Sequence, residues 1–260
     1  MLQLVIGNMN YSSWSFRPWL TMKVAGIPFQ ETLISLEAAD FKARVQAISG
    51  TGKVPVLVDG DVRVWESLAI LEYLDEKFPA AGLWPREAAA RGHARAISSE
   101  MHAGFQPLRR QLPMNMWRPV LPRQLEPDAK ADVARIDAIW TDCRARFGVG
   151  GPFLYGAFGA ADAMYAPVVS RFHTYAVGVS AVARDYMRAV MAQPAWNEWR
   201  DALDSAARGS RLAGGQARVV AELAASLASS SGKNGRWYSM SFDIATGRAK
   251  YAMRSISGKL

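Results

Sequence analysis

Between Asn10 and Leu20 the chain reads NYSSWSFRPWL, with hydroxyls at Ser12, Ser13 and Ser15 ahead of an Arg17-Pro18 pair. The apolar run LQLVI, Leu2 to Ile6, precedes it, so the serines fall where a strand hands over to a helix. Capping a helix start needs one serine, whose oxygen accepts a bond from an orphan backbone N–H. Ser15 suits that role, since Pro18 then lies in the first turn, where a missing N–H costs nothing, and Trp19, Leu20, Met22, Lys23 and Val24 follow with helical spacing. Ser12 and Ser13 remain, just before a helix N-terminus whose partial positive charge and free amides favour an anion. With no base beside them in the motif they are not nucleophiles; a hydroxyl placed there donates a hydrogen bond to an anionic atom.

The elements that must hold these serines follow from the patterning. Gly26 and Pro28 end the first helix, and FQETLISL, Phe29 to Leu36, reads as a second strand, parallel to the first. A polar helix is expected over 39–48. VPVLV (54–58), an Asp59-Gly60 turn and VRVW (62–65) then form a hairpin, and a helix from Ser67 aligns Leu68, Leu71, Leu74 and Phe78 on one face. Past Gly82 to Pro85 strand signals stop, and helical patterns run over 88–111, 128–147, 160–176, 179–191 and 194–207. The expected organisation is a small α/β domain over 1–80, an all-α helical domain over 86–207, and a basic tail over 208–260. The tail ends in two alternating runs around Thr246-Gly247, which form a hairpin or stay disordered.

Composition bounds the function. The chain has 260 residues and a net charge of +8, but beyond Ala207 nine basic residues stand against Glu222 and Asp243, a net +7, which leaves the body at +1. A basic face for nucleic acid is therefore not expected on the body. No run of about 18 apolar residues and no basic leader is present, so a cytoplasmic protein with no membrane partner is expected. Cys143 is the only cysteine, which excludes an intrachain disulfide, and its helical setting beside Trp140 and Phe147 reads as a buried, inert thiol. His93, His102 and His173 are scattered, so no metal is expected. GTGKV at 50–54 is not a phosphate loop, because Ala47 and Val54 stand where that motif requires Gly and Ser or Thr.

Three motifs together resemble the glutathione transferase superfamily over about residues 1–207. YSSWSFRPWL is similar to the Ser-Ser-Cys-Ser opening of the zeta class, with Ser12 five residues before Arg17. GKVPVL places Pro55 at the family's cis-proline after a valine, and WESLAILEYL carries its Glu-Ser pair as Glu66 and Ser67. The resemblance implies a thioredoxin-like N-terminal domain, an all-α helical C-terminal domain, a homodimer and glutathione as substrate, with no further cofactor. It implies that Ser12, with Ser13 as understudy, stabilises the glutathione thiolate. A free thiol of pKa near 8.5 is only about 3% ionised at neutral pH, so such a donor matters.

By the same resemblance Glu66 faces the tripeptide's ammonium group, while Ser67 and the amides at its helix start hold the γ-glutamyl carboxylate. Ser67 as an ordinary cap is compatible with that. Val54, made approachable by cis Pro55, pairs with the cysteinyl unit, and Lys53 meets the glycyl carboxylate. Tyr11, Met101, His102, Phe105, Met114 and Trp117 are candidates for a pocket taking a small apolar electrophile, although Met101 and Phe105 also fit a core face. Two departures stand out. Trp14 occupies the cysteine position of the zeta motif, which counts against thiol–disulfide chemistry and isomerisation. Gly159 replaces the Ser or Thr that would complete a capping box with Asp162.

Overall fold

The computed structural model describes residues 1–202, 238–243 and 248–253. They fall in two units, Met1–Leu203 and Asp204–Leu260. The first unit begins β1 (Leu2–Ile6), α1 (Ser13–Val24), β2 (Phe29–Leu33), α2 (Phe41–Ser49), β3 (Val56–Asp59), β4 (Val62–Trp65) and α3 (Ser67–Lys77). The sheet order is β2-β1-β3-β4, with β2 parallel to β1 and the other neighbours antiparallel. β1 is apolar on both faces because it is central: Leu4 and Ile6 enter the main core, while Val5 joins Val45, Ile34 and Val56 beneath α2. In the hairpin Asp59 pairs with Val62, so the two-residue loop is Gly60-Asp61, one residue later than expected, with Gly60 supplying the positive φ of 56°.

The helices that follow are α4 (Ala88–Ala103), α5 (Gln106–Gln111), α6 (Pro127–Phe147), α7 (Ala160–Thr174), α8 (Ala181–Met191) and α9 (Pro194–Asp201). The single helix expected over 88–111 breaks between Ala103 and Gln106. Pro107 has no N–H to continue the ladder, its ring opposes a helical carbonyl four residues back, and Phe105 takes a positive φ of 59°. The second unit contains β5 (Tyr238–Asp243) paired antiparallel with β6 (Arg248–Met253). The Thr246-Gly247 turn and the remaining tail residues, 208–237, 244–247 and 254–260, lie outside the described residues, as does the end of the helix expected to reach Ala207.

One hydrophobic cluster runs through the first unit, joining Leu4, Trp19 and Leu71 of the sheet half to Trp140, Phe172 and Trp199 of the helical half. α1 is the element between them. It packs on α3, α7 and α9, and Ser13 and every residue from Ser15 to Met22 are buried. Phe16 and Trp19 meet Trp199 with ring centroids 5.0 Å apart in both pairs. Pro18 lies inside this helix rather than in its first turn, because α1 starts three residues earlier than a Ser15 cap would have it.

The segment between the halves is pinned by backbone. Leu83 O accepts from Ala160 N at 2.8 Å, and Asp162 closes half a capping box by accepting from Gly159 N at 2.9 Å and from Leu154 N at 3.0 Å. Gly159 has no side chain to reciprocate, and the reason is steric: a Cβ there would lie 2.7 Å from Leu83 O. Gly159→Ser, although it completes the box on paper, should therefore lower stability, by about 1–3 kcal/mol as for other overpacked sites. Denaturant unfolding reads this, and a stabilised variant would show that the backbone approach is not binding.

Candidate functional site

A cavity of about 250 Å³ opens beside the start of α1 and is lined by Trp14, Thr51, Lys53, Val54, Pro55, Trp65, Glu66 and Ser67. Three chain reversals build it. The loop after β1 delivers α1, a cis Val54–Pro55 bond delivers β3, and the step from β4 to α3 passes through Glu66 at φ 66° and ψ 125°. A non-glycine residue at positive φ costs on the order of 1–3 kcal/mol and persists where surrounding structure imposes it. Here it leaves Glu66 exposed at the cavity and tucks Ser67 behind it as the first residue of α3, fully buried.

Ser67 is thus not the cap; that position belongs to Glu66, which makes no side-chain capping bond. The Ser67 hydroxyl instead accepts from Arg17 Nη1 at 3.3 Å. His102 Nε2 stands 3.4 Å from Glu66 Oε2. Burial holds the His102 pKa below its usual value, and Arg17 and Arg109 push the same way against the pull of Glu66. At neutral pH the imidazole is therefore mostly uncharged, and it leaves the Glu66 charge available to a cation in the cavity.

The serine cluster differs from expectation in a defined way. Ser12, not Ser15, occupies the N-cap position of α1, without a side-chain capping bond. Ser15 Oγ accepts from Gly7 N at 3.1 Å and from Ser12 Oγ at 2.8 Å, tying the helix start to the end of β1. That leaves Ser12 with its proton on Ser15, while the Ser13 hydroxyl makes no hydrogen bond among the described residues. Both are buried at the helix start next to Trp14, which does line the cavity. Local spacing gives Ser15 the generic role of a serine before a helix; its partner, the Gly7 amide, comes from the preceding strand.

The expected electrophile pocket is not assembled as a group. Met101, Phe105 and Met114 are packed in the core, where an apolar face of α4 meets the loop after α5. Tyr11 meets Trp117 edge-on at 6.2 Å, over a loop held by Asn10 Oδ1 bonds to the Met116 and Trp117 amides. His102 lies edge-on to Trp14 at 5.2 Å. Lys53, Val54, Pro55, Glu66 and Ser67 do come together at the cavity, joined by Thr51, Trp14 and Trp65, which were not among the expected site residues. Trp65 had a legible signal, since it directly precedes the Glu-Ser pair at a strand end. Thr51 had none once the phosphate-loop motif was rejected.

Cys143 is buried near Tyr155 and His93, with Sγ 3.7 Å from the phenol oxygen and 3.9 Å from the imidazole Nδ1. Burial pushes its thiol up to about 11, so it stays protonated at neutral pH. Among the described residues no group of three or more His, Cys, Asp or Glu side chains is set to hold a metal, and no helix is long and apolar enough to cross a membrane.

With this geometry in place, comparison with known proteins is specific. The family model for "Glutathione S-transferase, N-terminal domain" matches residues 11–77, and that for "Glutathione S-transferase, C-terminal domain" matches residues 87–208. The chain is 38% identical over 98 residues to a probable maleylacetoacetate isomerase of Caenorhabditis elegans, covering 37% of this chain and 45% of that one. It is 35% identical over 97 residues to Glutathione S-transferase Z1 of Arabidopsis thaliana, covering 37% and 44%. These matches span about half the length of the curated relatives or less. A crystal structure of a glutathione transferase homologue from Burkholderia, with bound glutathione, superposes with a TM-score of 0.56 at 21% identity over 78% of this chain and 99% of that one, a likeness of fold.

The hydrogen bonding around Ser15 makes a prediction about stability. Ser15→Ala strips the Gly7 amide of its buried acceptor and should cost roughly 1–3 kcal/mol, whereas Ser13→Ala removes no internal bond and should cost less than about 0.5 kcal/mol. Thermal melts of the two variants compare them, and equal midpoints would contradict the assignment.

Proposed function

The chain belongs to the glutathione transferase family, and from that premise we propose that it conjugates the glutathione thiolate to a small apolar electrophile. The observation that carries the reading is the cavity itself, in which Val54, Pro55, Glu66 and Ser67 converge beside the serine-bearing start of α1. Each end of an extended tripeptide that carries one ammonium and two carboxylates finds complementary chemistry there. Glu66 matches the ammonium group, and Ser67 with the first amides of α3 matches the γ-glutamyl carboxylate. The backbone of Val54 matches the cysteinyl unit, and exposed Lys53 matches the glycyl carboxylate.

The sulfur is then directed to the start of α1, where the Ser13 hydroxyl, or that of Ser12 once it turns away from Ser15, donates a hydrogen bond and the helix terminus adds positive potential. Both favour the thiolate over the thiol. The thiolate attacks an electrophilic carbon, forming the carbon–sulfur bond while the leaving group departs with its electron pair or the electrons pass onto an activated double bond. Trp65, which lines the cavity and is exposed, offers an apolar face for the second substrate. A cytoplasmic homodimer that needs no cofactor beyond its thiol substrate completes the reading.

The test is retention on immobilised glutathione, followed by turnover of a panel of apolar electrophiles and sedimentation at micromolar concentration. Retention, turnover and a dimer are expected. Retention without turnover would contradict the enzyme and point to a binding protein of the same fold. In the active protein, Ser12→Ala or Ser13→Ala should raise the pKa of the bound thiol, each unit corresponding to about 1.36 kcal/mol, while glutathione still binds. The pH–rate profile identifies the donor as the serine whose loss gives the larger shift, and no shift in either variant would overturn the hydroxyl mechanism.

A further inference from the structure

His102 lies in the last turn of α4, half-buried, edge-on to the cavity residue Trp14 at 5.2 Å and with Nε2 3.4 Å from Oε2 of the cavity residue Glu66. Its other ring nitrogen, Nδ1, is buried and has no partner among the described residues. A proton there would be a buried donor with nothing to accept it, so the neutral ring carries its single hydrogen on Nε2, toward the carboxylate. Burial is the largest influence against a second proton. Glu66, at the turn before α3, draws one on, while Arg17 of α1 and Arg109 of α5 oppose it. Asp132 of α6 acts on Arg109.

Glu66 is thus open to two cations. A protonated His102 reaches it from the helical half of the fold, and the ammonium group of a ligand reaches it from the cavity. Both at once would set two positive charges on one carboxylate, with Arg17 and Arg109 close by. A ligand lying over Glu66 also takes water from the exposed part of the ring, and each effect disfavours the second proton. We propose that the second proton of His102 and the ammonium group of bound glutathione compete for Glu66, so that glutathione expels the proton and acidification weakens glutathione. This rests on the reading that Glu66 receives the ammonium group. By linkage, His102 in the free protein holds its proton to a higher pH than in the complex. The affinity is then full above both midpoints and falls as the pH drops through the window between them. His102, whose sequence context suggested an electrophile pocket, acts instead on the glutathione side, from the helical half upon a group carried by the sheet half.

The chain has three histidines, so NMR of their ring C–H resonances follows each titration separately. The probe is S-methylglutathione, whose thioether removes the ionisation of the thiol. His102 is the signal lost in His102→Gln or, if that variant does not fold, the one that survives in both His93→Gln and His173→Gln. In protein saturated with the probe the His102 midpoint should lie about half a pH unit or more below its value in the free protein. That corresponds to binding about threefold or more weaker across the titration, read by calorimetry at pH 7.5 and at pH 5. The analogue glutaryl-(S-methyl)cysteinyl-glycine keeps the carboxylates but lacks the ammonium group, and should leave the midpoint in place or raise it. A midpoint that does not fall with S-methylglutathione would overturn the proposal. So would an equal fall with both ligands, since covering the ring would then account for it, or an acid weakening that persists undiminished in His102→Gln. Equal affinity of the wild type for the two ligands at pH 7.5 would overturn the placement of the ammonium group on Glu66, and the proposal with it. A preference for S-methylglutathione without a lowered midpoint overturns the proposal alone.

Discussion

From Ser15 to Met22 α1 is buried, so the polar side chains of that stretch find their partners inside the protein, and that constraint governs the rest of the structure. Its apolar residues, Phe16, Trp19, Leu20 and Met22, belong to the cluster that joins the sheet to the helical half. Each buries on the order of 2 kcal/mol of transfer free energy. Its buried polar residues bond to neighbours: Ser15 to the Gly7 amide, Thr21 to the Arg17 carbonyl, Arg17 to Met164 and Ser67. The hydroxyl left over, that of Ser13, stands at the helix N-terminus beside the cavity residue Trp14.

The site therefore inherits its rigidity from the core. The start of α1 and the start of α3 are joined behind the cavity by the Arg17–Ser67 hydrogen bond. A change in how α1 packs on α7 or α9 would be felt at the cavity, because the helix is buried from Ser15 to Met22. The positive φ of Glu66 belongs to the same design, since it turns the chain sharply enough to expose one carboxylate and bury the next hydroxyl.

Much of this was legible in the sequence. Alternation and helical spacing identified the strand and helix order of the first eighty residues, and three short motifs located Pro55, Glu66, Ser67 and the serine run. What was not legible depends on partners distant in the chain. Ser15 looks like a cap until Gly7 is brought to it. Gly159 looks like a weak cap until the Leu83 carbonyl is found where a Cβ would be. Met101, Phe105 and Met114 carry the residue types of a pocket and the spacing of a core, and only tertiary packing separates the two. The break after Ala103 was signalled by Pro107, which a long helical period concealed.

The central claim is that the start of α1 makes a bound thiol more acidic than a free one. Ultraviolet absorbance of the thiolate, followed across pH for glutathione bound to the wild-type protein, tests it most directly. Half-ionisation is expected well below the free-thiol value of about 8.5, by roughly one to two units. A bound thiol that ionises at the same pH as free glutathione would contradict it.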